Sequence, residues 1–158
     1  MKEYYPGIPK VKYEGPQSDN PFAFKFYNPD EVVAGKKMKD QLRFSAAYWH
    51  TICAAGADMF GVATADKTFG KTDPMEIAEA KAYAFFEIID KLGIDYFAFH
   101  DRDIAPEGSN LTETNKNLDK IVDLSEKLMK EHKKNLLWGT ANMFNNPRYM
   151  HGAGTSCN

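Results

Sequence analysis

The residues of this sequence best placed to do chemistry close an apolar run: Asp95-Tyr-Phe-Ala-Phe-His100-Asp-Arg-Asp103. An imidazole can take up and return a proton near neutral pH, and a carboxylate three residues on can hold its other nitrogen. In parallel α/β folds catalytic side chains sit where strands end, in loops over a buried sheet. His100 and Asp103 are therefore the first candidate pair. Taken singly, each feature has a plainer reading: a satisfied, partly buried histidine, and a charged surface turn at Asp101-Arg102-Asp103.

A second set of residues points to the same place. Strand-like alternation over 135–141 puts Leu136, Trp138, Thr140 and Asn142 on one face, and alternation over 43–52 puts Trp49 on a face with Ser45 and Ala47. Indole walls with a few polar groups set into them suit a small polyhydroxylated substrate. Each tryptophan alone could equally be ordinary core.

The elements that must position these groups follow from punctuation and periodicity. Residues 1–40 carry Pro6, Pro9, Pro16, Pro21 and Pro29, which interrupt any long periodic element and predict an extended arm, with a short helix near 30–35. A first strand over 43–52 and a long Gly-rich loop through Gly56, Gly61 and Gly70 come next. Asp73-Pro74-Met75-Glu76 opens a helix with an aspartate N-cap, a proline at the first position and a capping-box-like glutamate. Its apolar stripe is Ala78, Ala82, Phe85, Ile89 and Leu92, and Gly93 can end it. A second strand covers 94–100. Asn110 starts another helix, with stripe Leu118, Ile121, Val122, Ser125, Leu128 and Met129, before the third strand. The order β, α, β, α, β predicts a parallel sheet in an α/β fold.

Composition narrows the partner. Lys+Arg of 20 against Asp+Glu of 22 gives a net charge of -2, which favours a small polar substrate over nucleic acid or a membrane surface. No run approaches the roughly 20 apolar residues of a membrane span, and Met1-Lys-Glu-Tyr-Tyr-Pro6 lacks the apolar core of a secretion signal. A cytoplasmic protein is expected. Cys53 and Cys157 have neither disulfide-framework nor zinc-site spacing and read as packing residues or bystanders.

Whole motifs carry a family resemblance. Phe22-Ala-Phe-Lys-Phe-Tyr27, Trp49-His50-Thr51, Gly56-Ala-Asp-Met-Phe60-Gly61, Asp73-Pro-Met75, Phe99-His-Asp-Arg-Asp-Ile-Ala-Pro-Glu-Gly108, Leu136-Leu-Trp-Gly-Thr-Ala-Asn142 and Pro147-Arg-Tyr-Met-His-Gly152 resemble the amino-terminal part of xylose isomerases of the longer, arm-bearing kind. The resemblance implies an eight-stranded β/α (TIM) barrel. It also implies a tetrameric enzyme that interconverts D-xylose and D-xylulose, with glucose and fructose as secondary substrates, beside two divalent cations such as magnesium, manganese or cobalt. By the same resemblance His100 contacts the sugar and assists ring opening, and Asp103 orients it. Trp49, Trp138 and Phe144 line the pocket, Thr140 adds a polar contact, and Phe60 crosses into a neighbouring subunit's site.

Tyr48 before Trp49 and Asn145-Asn146 before Pro147 depart from the family pattern. Two hard cations need a cluster of carboxylates, which is not legible here, and by the same resemblance their ligands arise on later strands. A barrel takes about 200 residues or more, so residues 1–40 read as an arm and 41–158 as the first three strands of a truncated barrel domain, inactive and metal-free alone. Two alternatives stand beside this: a barrel enzyme of another kind, acting on sugar phosphates or DNA, and a non-catalytic or engineered fragment that assembles with a complementary barrel part.

Overall fold

The structure, a computed structural model, describes residues 2–143 and Tyr149 of the 158-residue chain. Its first forty residues hold only fragments of regular structure. Strands β1 (Lys12–Tyr13) and β2 (Ala23–Phe24) pair in parallel, and β3 (Val32–Val33) pairs with β4 (Lys36–Lys37) in an antiparallel hairpin. The short helix expected near 30–35 is this hairpin instead. Ala34 and Gly35, at φ 51 and 78, form the two-residue turn with positive φ that matches the twist of paired strands. A single helical turn, α1 (Met38–Gln41), follows.

The strand expected over 43–52 is cut short. Only β5 (Ser45–Ala47) is extended, and the chain then coils into the turn α2 (Tyr48–Thr51). The Thr51 hydroxyl donates to the Ala47 carbonyl four residues back at 2.9 Å, a side-chain bond back to the strand end of the kind that bends and ends helical turns. Burial of Tyr48 against Phe85, ring centroids 4.5 Å apart, fixes it to the core.

Helix α3 (Pro74–Lys91) begins where its signals place it, with Asp73 accepting from the Glu76 amide at 2.9 Å. The Glu76 carboxylate turns to Lys71, 3.3 Å away, so the capping box is one-sided. Gly93, at φ 69, ends the helix as expected. Strand β6 (Tyr96–His100), the turn α4 (Asp101–Ile104), helix α5 (Leu111–His132) and strand β7 (Asn135–Thr140) complete the described chain. Asn110 caps α5 by accepting from the Glu113 amide at 2.9 Å.

The sheet runs β5-β6-β7, all parallel, with the helices as crossovers. Phe97 on β6, Phe85, Phe86 and Ile89 on α3, and Ile121 and Leu128 on α5 bury almost completely in one cluster. Both helices therefore cover the face that bears Phe97. Each such side chain contributes about 1.5–3 kcal/mol of apolar burial, so this cluster fixes the sheet's orientation. Among the described residues the sheet has three strands and no closed barrel.

Strand β7 departs from simple alternation. Phe97 aligns with Leu136 but Ala98 aligns with Trp138, so Leu137 is an extra residue in a bulge. Leu136 thereby falls out of phase with Trp138 and Thr140, which align with Ala98 and His100. The face read from the sequence keeps Trp138 and Thr140 and loses Leu136. Beyond the bulge, a Cβ on Gly139 would stand 3.1 Å from the Phe99 ring. Glycine lets that ring lie flat against the neighbouring strand.

Candidate active site

The acid–base pair is built by the strand end and the turn after it. The His100 amide donates to Asp103 Oδ2 at 2.7 Å, and His100 Nδ1 lies 2.9 Å from the same oxygen. One carboxylate oxygen thus fixes backbone and ring together. Both side chains are nearly buried, at 19 and 11% exposure. With Nδ1–H donating to the carboxylate, Nε2 keeps its lone pair for an outside proton.

Two indoles flank the imidazole. Trp49 comes from α2 with its ring centroid 4.6 Å from that of His100, and Trp138 from β7 at 5.7 Å in an edge-to-face arrangement. The indoles are 5.4 Å apart. Trp49 reaches this position from a helical turn and not from the strand expected for it. Thr140, next to His100 across the ladder, is exposed at the same rim. Phe144 lies outside the described residues.

Supporting contacts pass behind the pair. Asp101 Oδ1 accepts the amides of Arg102 at 2.8 Å and of Asn142 at 2.7 Å, tying the chain just after β7 to α4. The Cys53 thiol donates to the Asp103 carbonyl at 3.4 Å, and Lys81 Nζ stands 4.0 Å from the sulfur. Burial pushes the Cys53 thiol up, against the opposing pull of Lys81. Cys53 is therefore more than a bystander. Tyr48 is buried with a hydroxyl that has no hydrogen-bond partner among the described residues, and burial pushes its phenol well above the usual range.

Phe60 is displayed, not assembled into this cluster. The loop carrying it is cinched at its neck, where the Thr64 and Ala65 amides both donate to the Ala55 carbonyl at 2.9 and 3.0 Å. At its tip Asp58 Oδ1 accepts the amides of Phe60 and Gly61, both at 2.8 Å. Met59, Phe60 and Val62 are 87, 90 and 84% exposed. The tip is a hydrogen-bonded turn that holds an aromatic ring out into solvent.

An apolar cleft of about 320 Å³ among Phe24, Tyr27, Phe44, Leu92 and Ile94 lies at the other, amino-terminal end of the strands. It offers no histidine–carboxylate pair, so the chemistry places the candidate site at the carboxyl end of the strands. Among the described residues no group of three His, Cys, Asp or Glu side chains could hold a metal ion. No described helix is long and apolar enough to cross a membrane.

Comparison with known proteins finds relatives along nearly the whole chain. The chain is 57% identical over 157 residues to a xylose isomerase of Thermoanaerobacter pseudethanolicus, 58% over 157 to one of Caldicellulosiruptor bescii, and 56% over 158 to one of Thermotoga neapolitana. This chain is a homologue of the xylose isomerases. The matches take in 99% of the chain but 36% of each relative's length, as an amino-terminal segment would. No family model matches it.

In this xylose isomerase homologue the fold brings together four residues singled out from the sequence, His100, Asp103, Trp49 and Trp138. Asp101, Cys53 and Asp58 were missed. Asp58, two residues before Phe60 and three before Gly61, carried a readable turn signal. The contacts of Asp101 and Cys53 join residues 41 and 50 positions apart and leave no local trace.

Proposed function

We propose that the chain is the substrate-opening part of an aldose–ketose isomerase that interconverts D-xylose and D-xylulose, with D-glucose and D-fructose as a secondary pair. The observation that carries this is the His100–Asp103 pair set between two indoles at a strand end. Trp49 and Trp138 would pack against the sugar's carbon faces, Phe144 would extend that wall, and Thr140 would meet a hydroxyl. His100 Nε2 takes the proton of the anomeric hydroxyl, becoming an imidazolium that Asp103 stabilises. As the bond from C1 to the ring oxygen breaks, the imidazolium returns a proton to that oxygen, leaving the open aldehyde and a neutral histidine. General acid–base catalysis of this kind contributes about 10²–10⁴-fold.

Three parallel strands with both helices on one face fit the start of a β/α barrel, residues 1–40 being an arm and 41–158 the first part of the catalytic domain. The described residues do not fit the two divalent cations, magnesium, manganese or cobalt, that the family resemblance implies. Their ligands belong, on this reading, to parts of the protein beyond this segment. The complete enzyme is a cytoplasmic homotetramer in which Phe60 closes a neighbour's site, and its exposed, hydrogen-bonded turn supports that role. In the full-length enzyme supplied with cation, xylulose formation should fall steeply in His100→Asn; comparable turnover by both proteins would remove the assigned role.

A further inference from the structure

The first residues of the chain are tied to the core by a contact set out of proportion to an arm. Both carboxylate oxygens of Glu87, on the outer side of α3, accept backbone amides: Tyr4 at 2.7 Å and Tyr5 at 2.9 Å. Lys91, one turn on, lies 3.0 Å from Glu87, 2.7 Å from Glu3, and donates to the Tyr5 carbonyl at 2.6 Å. A glutamate and a lysine of one helix thus grip three successive residues of the amino-terminal segment.

The grip has a product. It holds the Tyr4 ring edge-on to Phe69, centroids 5.3 Å apart and planes at 89°. Phe69 closes the long loop that displays Phe60, and it has a positive φ of 55. That conformation is strained for a bulky side chain and persists only when its surroundings over-determine it. Tyr4 is part of those surroundings, and both rings pack on the hydrophobic core. The base of the loop is further set by the Thr68 carbonyl, which accepts from the Lys71 amide at 3.1 Å, and by Asp66, which accepts from the Thr68 amide at 2.8 Å.

We propose that residues 3–5 are a brace for the 53–73 loop, with Tyr4 the positioning residue that pins Phe69 and so fixes where Phe60 is presented. The catalytic consequence rests on the role of Phe60 proposed above; the brace itself does not. Ring contact, not the phenol hydroxyl, does the pinning.

Hydrogen exchange followed by mass spectrometry in the full-length protein tests it. Peptides spanning 54–72 report on the Thr64, Ala65 and Lys71 amides, and peptides within α5 report on the core. Tyr4→Ala should speed exchange in 54–72 by about tenfold, with α5 unchanged. Tyr4→Phe should match wild type. Glu87→Gln, which keeps one acceptor for two amides, should fall between. Unchanged loop exchange in Tyr4→Ala overturns the brace, as does equal acceleration throughout α5, which would make Tyr4 a general stability residue, or a Tyr4→Phe as damaging as Tyr4→Ala. The KM for xylose separates the two ideas. A loosened loop with unaltered KM keeps the brace and refutes the role of Phe60.

Discussion

Replacing Asp103 by asparagine removes one negative charge and almost nothing else. The amide oxygen can still accept from the His100 backbone N–H, so the turn α4 should persist. What changes is the partner of Nδ1. Hydrogen bonds to charged groups contribute about 1.5–3 kcal/mol against about 0.5–1.5 for neutral ones, so the imidazolium formed during ring opening loses about 1–2 kcal/mol. That is about 5- to 30-fold in rate. The side chain is only 11% exposed, which leaves little water to screen the loss. Because the oxygen that faces Nδ1 also accepts the His100 backbone N–H, an asparagine keeps its carbonyl oxygen there, so the tautomer is retained and the loss is that of the charge alone. Steady-state kcat/KM for xylose in the full-length enzyme measures it, with circular dichroism confirming the fold. A loss below about twofold would show that the carboxylate neither orients nor stabilises the imidazole, and the acid–base mechanism would fail with it.

Two further outcomes follow from particular contacts. Tyr48→Phe removes a buried hydroxyl without a partner among the described residues and should raise stability by about 1 kcal/mol, read as a higher denaturation midpoint with an unchanged slope; a lower midpoint would mean the hydroxyl is satisfied after all. Phe60→Ser should weaken xylose turnover, and mixing it with His100→Asn subunits should restore activity in hybrids that pair an intact Phe60 with an intact His100. Hybrids verified by mass but no more active than their parents would rule out a shared site.

What the sequence made legible is what local chemistry determines. Asp73 and Asn110 cap their helices because a short polar side chain meets a free amide three residues on, whatever the rest of the chain does. His100 and Asp103 were readable for the same reason, being three apart at a strand end. The errors lie where a distant contact overrode a local pattern. Alternation over 43–52 continues through Tyr48, yet burial of that ring against Phe85 coils the chain there and turns Trp49 toward His100. The bulge at Leu137 belongs to pairing with β6 and cannot be seen in β7 alone. Near 30–35 the turn chemistry of Ala34-Gly35 outweighed a weak helical pattern. The grip of Glu87 on Tyr4 and Tyr5 spans more than eighty residues and has no sequence signature at all.

The central claim is that His100 opens the sugar ring and does nothing essential afterwards. An aldose too short to cyclise separates the two stages, since glyceraldehyde presents its aldehyde already open. In the full-length enzyme His100→Asn should lose most of its kcat/KM on xylose, by about 10²-fold or more, while its conversion of glyceraldehyde to dihydroxyacetone stays near that of wild type. An equal loss on both substrates would place His100 in the later chemistry or in general site structure, and would contradict a ring-opening role for the pair at the end of β6.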